Sequence, residues 1–341
     1  MQIIILSFAQ YFYNMKKDIL LDAATVAGCT IGVGFLSGKE AQLFFGSFTN
    51  VLIFALCFFA LNMLVRTFCR AHCCFDVNSL SKCCFGRFSA LFTALFLLCS
   101  FVCVVTILAG VENCLNDYFP TKIPLYGILV AFLAALILKR GLNALKILNV
   151  VSIALALVFL LAVALTKDHV AATDVAPSQP IKYALFSVTM SLGVLAPLAN
   201  TTKKSNVAAT VIATLLISLL IVFVLCIGDF SLDRPIFGKS DNAFLNVLGG
   251  VTVILATSTG VAANTLPIAQ CIGDVFQDDT LCYTTVFCLA LALSMFGFDF
   301  ALAYGYMFVA AVGILTTAML AIQTAKNLKK HTPLLHKEKN P

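Results

Sequence analysis

Apolar runs of about twenty residues recur from one end of this chain to the other, separated by short polar turns. A run of that length is what an α-helix needs to cross the roughly 30 Å hydrocarbon layer of a bilayer. Inside lipid every backbone N–H and C=O must be met by the chain itself, so only helices and closed barrels are open to such a sequence. A barrel would show alternating segments of about ten residues, and none occur here. The 341 residues are 61% hydrophobic and only 11% charged, against roughly 25% charged in soluble domains. An all-α polytopic membrane protein is expected.

Ten spans are predicted, at about 19–46, 48–66, 88–111, 123–138, 147–166, 183–200, 207–228, 244–272, 281–297 and 299–323. The first and eighth are long enough to be tilted or interrupted. Basic residues set the orientation. With the N-terminus inside, sixteen Lys and Arg fall on inner segments and five on outer loops, while Lys39 lies within the first span. Both termini are therefore expected in the cytoplasm. The net charge of +6 follows from this topology and calls for no nucleic-acid partner. The longest loops, about 167–182 and 229–243, are too short to build a core of their own. The expected organisation is an N-terminal extension (1–18), five spans (19–166), five more (183–323) and a basic cytoplasmic tail (324–341).

The first thirteen residues lack a basic leader and a small-residue cleavage site, so no cleavable signal peptide is expected. Met15-Lys16-Lys17 reads as a natural start. Most of the fourteen cysteines lie in apolar runs, where they act as small hydrophobes. Five crowd one loop, Cys69, Cys73, Cys74, Cys83 and Cys84, with His72 among them. Zinc uses such ligands, but adjacent Cys-Cys pairs suit tetrahedral spacing poorly. The alternative is free thiols in a reducing compartment.

The first span is unusual. Between Ala23 and Phe48 it carries Gly28, Gly32, Gly34 and Gly38, followed by Lys39 and Glu40. One reading is helix packing, since Gly28 and Gly32 form a small-xxx-small pair. The other is a discontinuous helix, tolerated at membrane depth only where it is buried in protein or lines a cavity. Freed carbonyls there can hold a cation, and a half-helix N-terminus can face an anionic group. Transporters built from inverted repeats carry a matching break in each half. The sixth span, with Ser187, Thr189, Ser191, Gly193 and Pro197, is the predicted counterpart.

In the eighth span Thr257, Ser258 and Thr259 are three consecutive hydroxyls. They either bond back to the preceding turn or, beside an unwound first span, offer oxygen ligands to a hard cation such as sodium. Lys39 and Glu40 point to different helix faces. Either both reach an outer vestibule, or Glu40 gates it or carries a coupled proton. Glu112 and Asp299 read as solvated span ends. His72, His169, His331 and His336 are expected in loops, which leaves no intramembrane histidine relay.

Ala27 to Gly34 resembles the first-helix signature of sodium-coupled transporters with the LeuT fold. The longer pattern, Ile31 to Glu40 followed by Leu43-Phe44-Phe45, resembles the YkvI-type bacterial membrane protein family of the amino acid–polyamine–cation superfamily. Leu108-Ala109-Gly110, Arg140-Gly141 with Asn149, Tyr183, Val194 to Asn200 and Gly297-Phe298 match as well, so the resemblance covers about Asp22 to Thr317. It implies a five-plus-five inverted repeat with discontinuous helices one and six, in a bacterial cytoplasmic (inner) membrane. Carried over by position, the carbonyls of Gly28 and Ile31 with Thr257 and Ser258 form a sodium-like site. Cys29, Thr30, Gly32, Gly34, Tyr183 and Ser187 line a substrate pocket, and Glu40 matches an acidic residue after the glycine run. The family's span-six amide is Ser187 here, its span-ten Tyr-Pro is Tyr306-Met307, and the proline after Asn149 is lacking.

These readings imply a secondary transporter of a small organic solute, amino-acid-like or an amine, coupled to sodium or protons. Its partners are the solute, a coupling cation and the bilayer. No cofactor is expected beyond sodium as the coupling ion. The competing reading is a solute sensor or receptor subunit on the same scaffold. An enzyme is not expected, because no nucleophile–base pair, metal motif or clustered His/Asp/Glu set stands out. ATP-driven transport lacks its P-loop.

Overall fold

The computed structural model describes residues 2–116, 121, 123–165, 175–227, 243–276, 278–298 and 304–337, with side chains from Lys16 to Lys326 except those of Val33 and residues 274–276. Among the described residues the elements are helical throughout. They are α1 (Gln2–Thr30), α2 (Val33–Leu36), α3 (Lys39–Phe44), α4 (Phe48–His72), α5 (Val77–Phe85), α6 (Ser89–Leu115), α7 (Leu125–Arg140), α8 (Leu142–Ala164), α9 (Ser178–Leu198), α10 (Lys203–Ile227), α11 (Ala243–Phe276), α12 (Asp279–Ser294) and α13 (Tyr306–Lys337). A 3₁₀ turn at Gly86–Phe88 joins α5 to α6. Seven of these helices, among the described residues, are long and apolar enough to cross a membrane. The protein is a multi-pass membrane protein.

Local chemistry sets the boundaries. Gly38, at φ 85°, sits in the left-handed region that costs other residues a Cβ clash, and it turns the chain between α2 and α3. Ser47 caps α4 by accepting the Asn50 amide. Asp76 and Ser79 form a reciprocal capping box at α5, and Asp278 caps α12. Asn50 then ties two segments together, donating from Nδ2 to the carbonyls of Phe45 at 2.5 Å and Val175 at 3.0 Å.

Three expectations change. The sixth span, α9, is one unbroken helix. Its glycine serves packing instead of unwinding, since a Cβ on Gly193 would lie 2.7 Å from the Pro267 ring. Pro197 falls one residue from the helix end, where it breaks nothing, and Thr189 and Ser191 donate back to Leu185 and Val188. Glu112 is not a solvated end: Gly127 N–H donates to its Oε1 at 2.6 Å, which pins α6 to the start of α7. Finally, α1 begins at Gln2 and α13 runs to Lys337, so the expected extension and tail continue the terminal helices. His72 ends α4, and His331 and His336 fall within α13. His169 and Asp299, with most of both long loops, lie outside the described residues.

Polarity is inverted relative to a water-soluble fold. Leu52, Leu56, Leu161 and Leu215 are more than half exposed on the perimeter, while Asn62, Asn149, Asn264, Arg66 and Glu40 are buried. In lipid this is the favourable arrangement, since polar groups must meet partners inside the protein. The long α11 packs on α6, α7, α8, α9, α12 and the first span, which makes it a central pillar.

Candidate functional site

The first span breaks where its glycines allow. The Ile31 amide still reaches Ala27 O at 3.2 Å, and the Leu36 amide takes Gly32 O at 3.1 Å, but Ile31 and Gly32 themselves are non-helical. The Thr30 carbonyl, at the edge of the break, is approached by the Tyr183 hydroxyl at 3.5 Å. Thr30 itself donates its side-chain hydroxyl to Ala27 O at 2.7 Å. Gly32 lies in the gap, where an added Cβ would meet nothing within 4 Å, whereas Gly28 and Gly34 are close-approach points. Gly28 thus serves close packing, but its expected partner in the small-xxx-small pair, Gly32, lies in the gap and packs on nothing.

Past the Gly38 turn, α3 folds Glu40 back against Gly34, where a Cβ would lie 2.4 Å from Glu40 Oε1. The carboxylate is 2% exposed. Tyr183 of α9 donates to Oε2 and Tyr306 of α13 to Oε1, each at 2.5 Å. Two donors on two oxygens are what an acceptor-only carboxylate requires, and they offset the cost of burying it. Aromatic rings close around this knot. Phe44 lies 5.1 Å from Tyr183 and 6.0 Å from Tyr306, Phe45 and Phe54 meet Tyr183, and Phe186 stacks on Tyr306 at 3.9 Å. Lys39 diverges as expected, half-exposed with Nζ 5.9 Å from the Phe298 ring.

So the structure joins Thr30, Gly34, Glu40 and Tyr183 in one place. Ser187 follows one turn after Tyr183; it is fully buried and its Oγ makes no hydrogen bond of normal geometry. Cys29 and Ile31 are buried beside the break. The eighth-span hydroxyls behave as back-bonders: Thr257 donates to Val253 O at 2.7 Å, Ser258 to Ile254 O at 2.6 Å and Thr259 to Ala256 O at 2.9 Å. A hydroxyl that donates its hydrogen keeps its acceptor lone pairs, so back-bonding and cation ligation are compatible. Ser258 and Thr259 border a cavity of about 510 Å³ between α7, α8 and α11. Gly28 is covered from the α8 side, where a Cβ would lie 2.0 Å from Asn149 Oδ1. Asn149 is wholly buried and both its amide atoms lack a hydrogen bond.

Two residues of this arrangement have no role assigned from the sequence. Tyr306 stands out there only as a departure from a Tyr-Pro pattern, and its partner is 266 positions away. Asn149 belongs to the resemblance without a role; a lone amide in an apolar span is the signal that marks it. In the cysteine loop, Cys73 and Cys83 are exposed, and the buried Cys74 thiol lies 2.8 Å from Cys83 Sγ.

No protein-family model and no curated protein matches the chain. Solved structures do match. The chain is similar to MhsT in complex with L-phenylalanine, at 13% identity and a TM-score of 0.61 over 89% of this chain and 88% of that one. It is also similar to the Eremococcus coleocola manganese transporter bound to an aromatic bis-isothiourea substituted compound, at 12% identity and a TM-score of 0.53 over 92% and 78%. At such identities the likeness is one of fold, and that fold is LeuT-like.

Proposed function

We propose that the chain is a secondary active transporter of a small organic solute, amino-acid-like or an amine, working by alternating access around the broken first span. The observation that carries this reading is the buried Glu40 carboxylate, held between Tyr183 and Tyr306 from two other helices beside the break. A polar knot of that kind closes one side of a central site and can open by exchanging few hydrogen bonds. Because α9 is unbroken, it contributes side chains, Tyr183 and Ser187, in place of a half-helix terminus. The solute binds along Cys29, Thr30, Gly32 and Gly34. The carbonyls of Gly28 and Ile31 with Thr257 and Ser258 hold sodium, unless Glu40 carries a proton in its place. The fold shared with MhsT, whose structure holds L-phenylalanine, supports an amino-acid-like solute and a non-enzymatic role. The basic bias supports cytoplasmic termini in a bacterial inner membrane, and the YkvI-type resemblance supports the same setting.

Thermal stabilisation of the purified protein across amino acids and amines, in sodium and in potassium at two pH values, tests this. A ligand that binds only the folded state raises the melting temperature by mass action. A solute shift that depends on sodium and is lost in Thr257→Ala/Ser258→Ala is expected, together with uptake of that solute into proteoliposomes. If the shift ignores sodium, follows pH and disappears in Glu40→Gln, the coupling ion is a proton. A shift without flux identifies a sensor and overturns transport. No shift with any solute overturns the solute-binding reading for these classes.

A further inference from the structure

Arg66 is the largest fully buried side chain described, at 1% exposure. It lies towards the C-terminal end of α4, and its Nη1 donates to Asn206 Oδ1 of α10 at 2.7 Å. Asn206 is itself fixed: its Nδ2 donates to Ala199 O at 3.1 Å, and Thr201 donates to its Oδ1 at 2.9 Å. That accounts for one side of the guanidinium. Nε and Nη2, the two donors of its other edge, are buried without a hydrogen bond. Asp22 is the carboxylate whose charge acts on Arg66, but its Oδ1 is held by Lys146 Nζ at 2.7 Å. Two buried guanidinium donors without a hydrogen bond cost free energy even where a carboxylate charge acts on the group.

Arg66 also lines a cavity of about 320 Å³ with Thr67, Arg70, Lys203 and Asn206. None of its lining residues is acidic, and Arg70 and Lys203 are exposed at its mouth. The Nε–Nη2 edge of arginine is a planar fork that matches two oxygens of a phosphate or carboxylate. Two further cations at the rim raise the preference for a multiply charged group. We infer that this cavity is an oxyanion site of the phosphate type, in which the Arg66 fork, sealed from solvent in this conformation, turns to meet the anion while Arg70 and Lys203 supply the rim charge. Its position on the perimeter, at the ends of α4 and α10 that carry the basic residues, suits a phospholipid headgroup, and inorganic phosphate shares the same chemistry.

The test uses the purified full-length chain in detergent, with inorganic phosphate, phosphatidylglycerol or phosphatidylcholine added at matched ionic strength, and the melting temperature as readout. Phosphatidylglycerol is expected to stabilise the wild type more than phosphatidylcholine does. Arg70→Gln/Lys203→Gln, whose side chains are exposed, should fold normally and raise the half-effect concentration at least about tenfold. Arg66→Lys keeps the charge, removes the fork and should weaken the response as well. Stabilisation by phosphatidylglycerol alone assigns a headgroup, and stabilisation by phosphate too assigns a site open to soluble oxyanions. The inference is overturned if neither ligand stabilises the wild type, or if the variants respond as the wild type does.

Discussion

A Cβ on Gly34 would lie 2.4 Å from Glu40 Oε1, whereas one on Gly32 meets nothing within 4 Å. Neither glycine has a positive φ, so contact alone separates them. Gly34→Ala must push the carboxylate out from between Tyr183 and Tyr306, at a cost of about 1–3 kcal/mol for the misfit. Gly32→Ala should leave stability within about 0.5 kcal/mol, as expected of a substitution that touches nothing. Comparing the two variants by melting temperature and by solute uptake checks this. Equal losses in both would mean that the Gly34–Glu40 contact is not what Gly34 serves.

At the scale of elements, α1 approaches α8 through Gly28 and Asn149. A Cβ at Gly28 would come within 2.0 Å of the Asn149 Oδ1, closer than any real contact permits. Gly28→Ala is therefore expected to destabilise by about 1–3 kcal/mol. Shortening the partner in Asn149→Ala removes the obstruction and also deletes two unsatisfied buried amide atoms. The double variant should regain much of the loss, with a coupling of about 1–2 kcal/mol in a double-mutant cycle. Strict additivity would show that the helices separate to admit the methyl group. The same geometry explains why α9 is continuous: Gly193 is consumed by its contact with Pro267 of α11, and its hydroxyls close back onto their own helix.

For the whole molecule, the orientation proposed from the basic residues is a testable claim, and exposed cysteines report on it. Cys73 and Cys83 lie between α4 and α6, on the side that the proposed orientation places in the cytoplasm, and Cys288 is exposed near the middle of α12. In single-cysteine variants, a membrane-impermeant maleimide should label Cys73 and Cys83 in inverted vesicles and not in intact cells. Cys288 should resist it from either face, because its surroundings are lipid. Labelling of Cys73 from outside would reverse the orientation.

Helical class and the break at Ile31–Gly32 are legible in the sequence because each depends on local chemistry, whereas seven helices among the described residues are long and apolar enough to cross a membrane, against ten expected spans. Apolar length decides what can sit in lipid, and a cluster of glycines beside Lys39-Glu40 marks a helix that cannot run straight through. The sixth span misleads for the complementary reason. Gly193 and Pro197 look the same on paper whether they unwind a helix or pack against another one, and only Pro267, 74 positions beyond Gly193, decides between them. Glu40 can be singled out as a costly charge but not given its partners. Tyr183 and Tyr306 are 143 and 266 residues distant, and so long a separation leaves no trace in spacing or periodicity. What the sequence determines by itself is which segments are apolar enough to enter a bilayer, since that depends on each segment's own hydration. Which buried polar groups meet one another is decided by tertiary packing, because in lipid each must find its partner wherever the fold brings one.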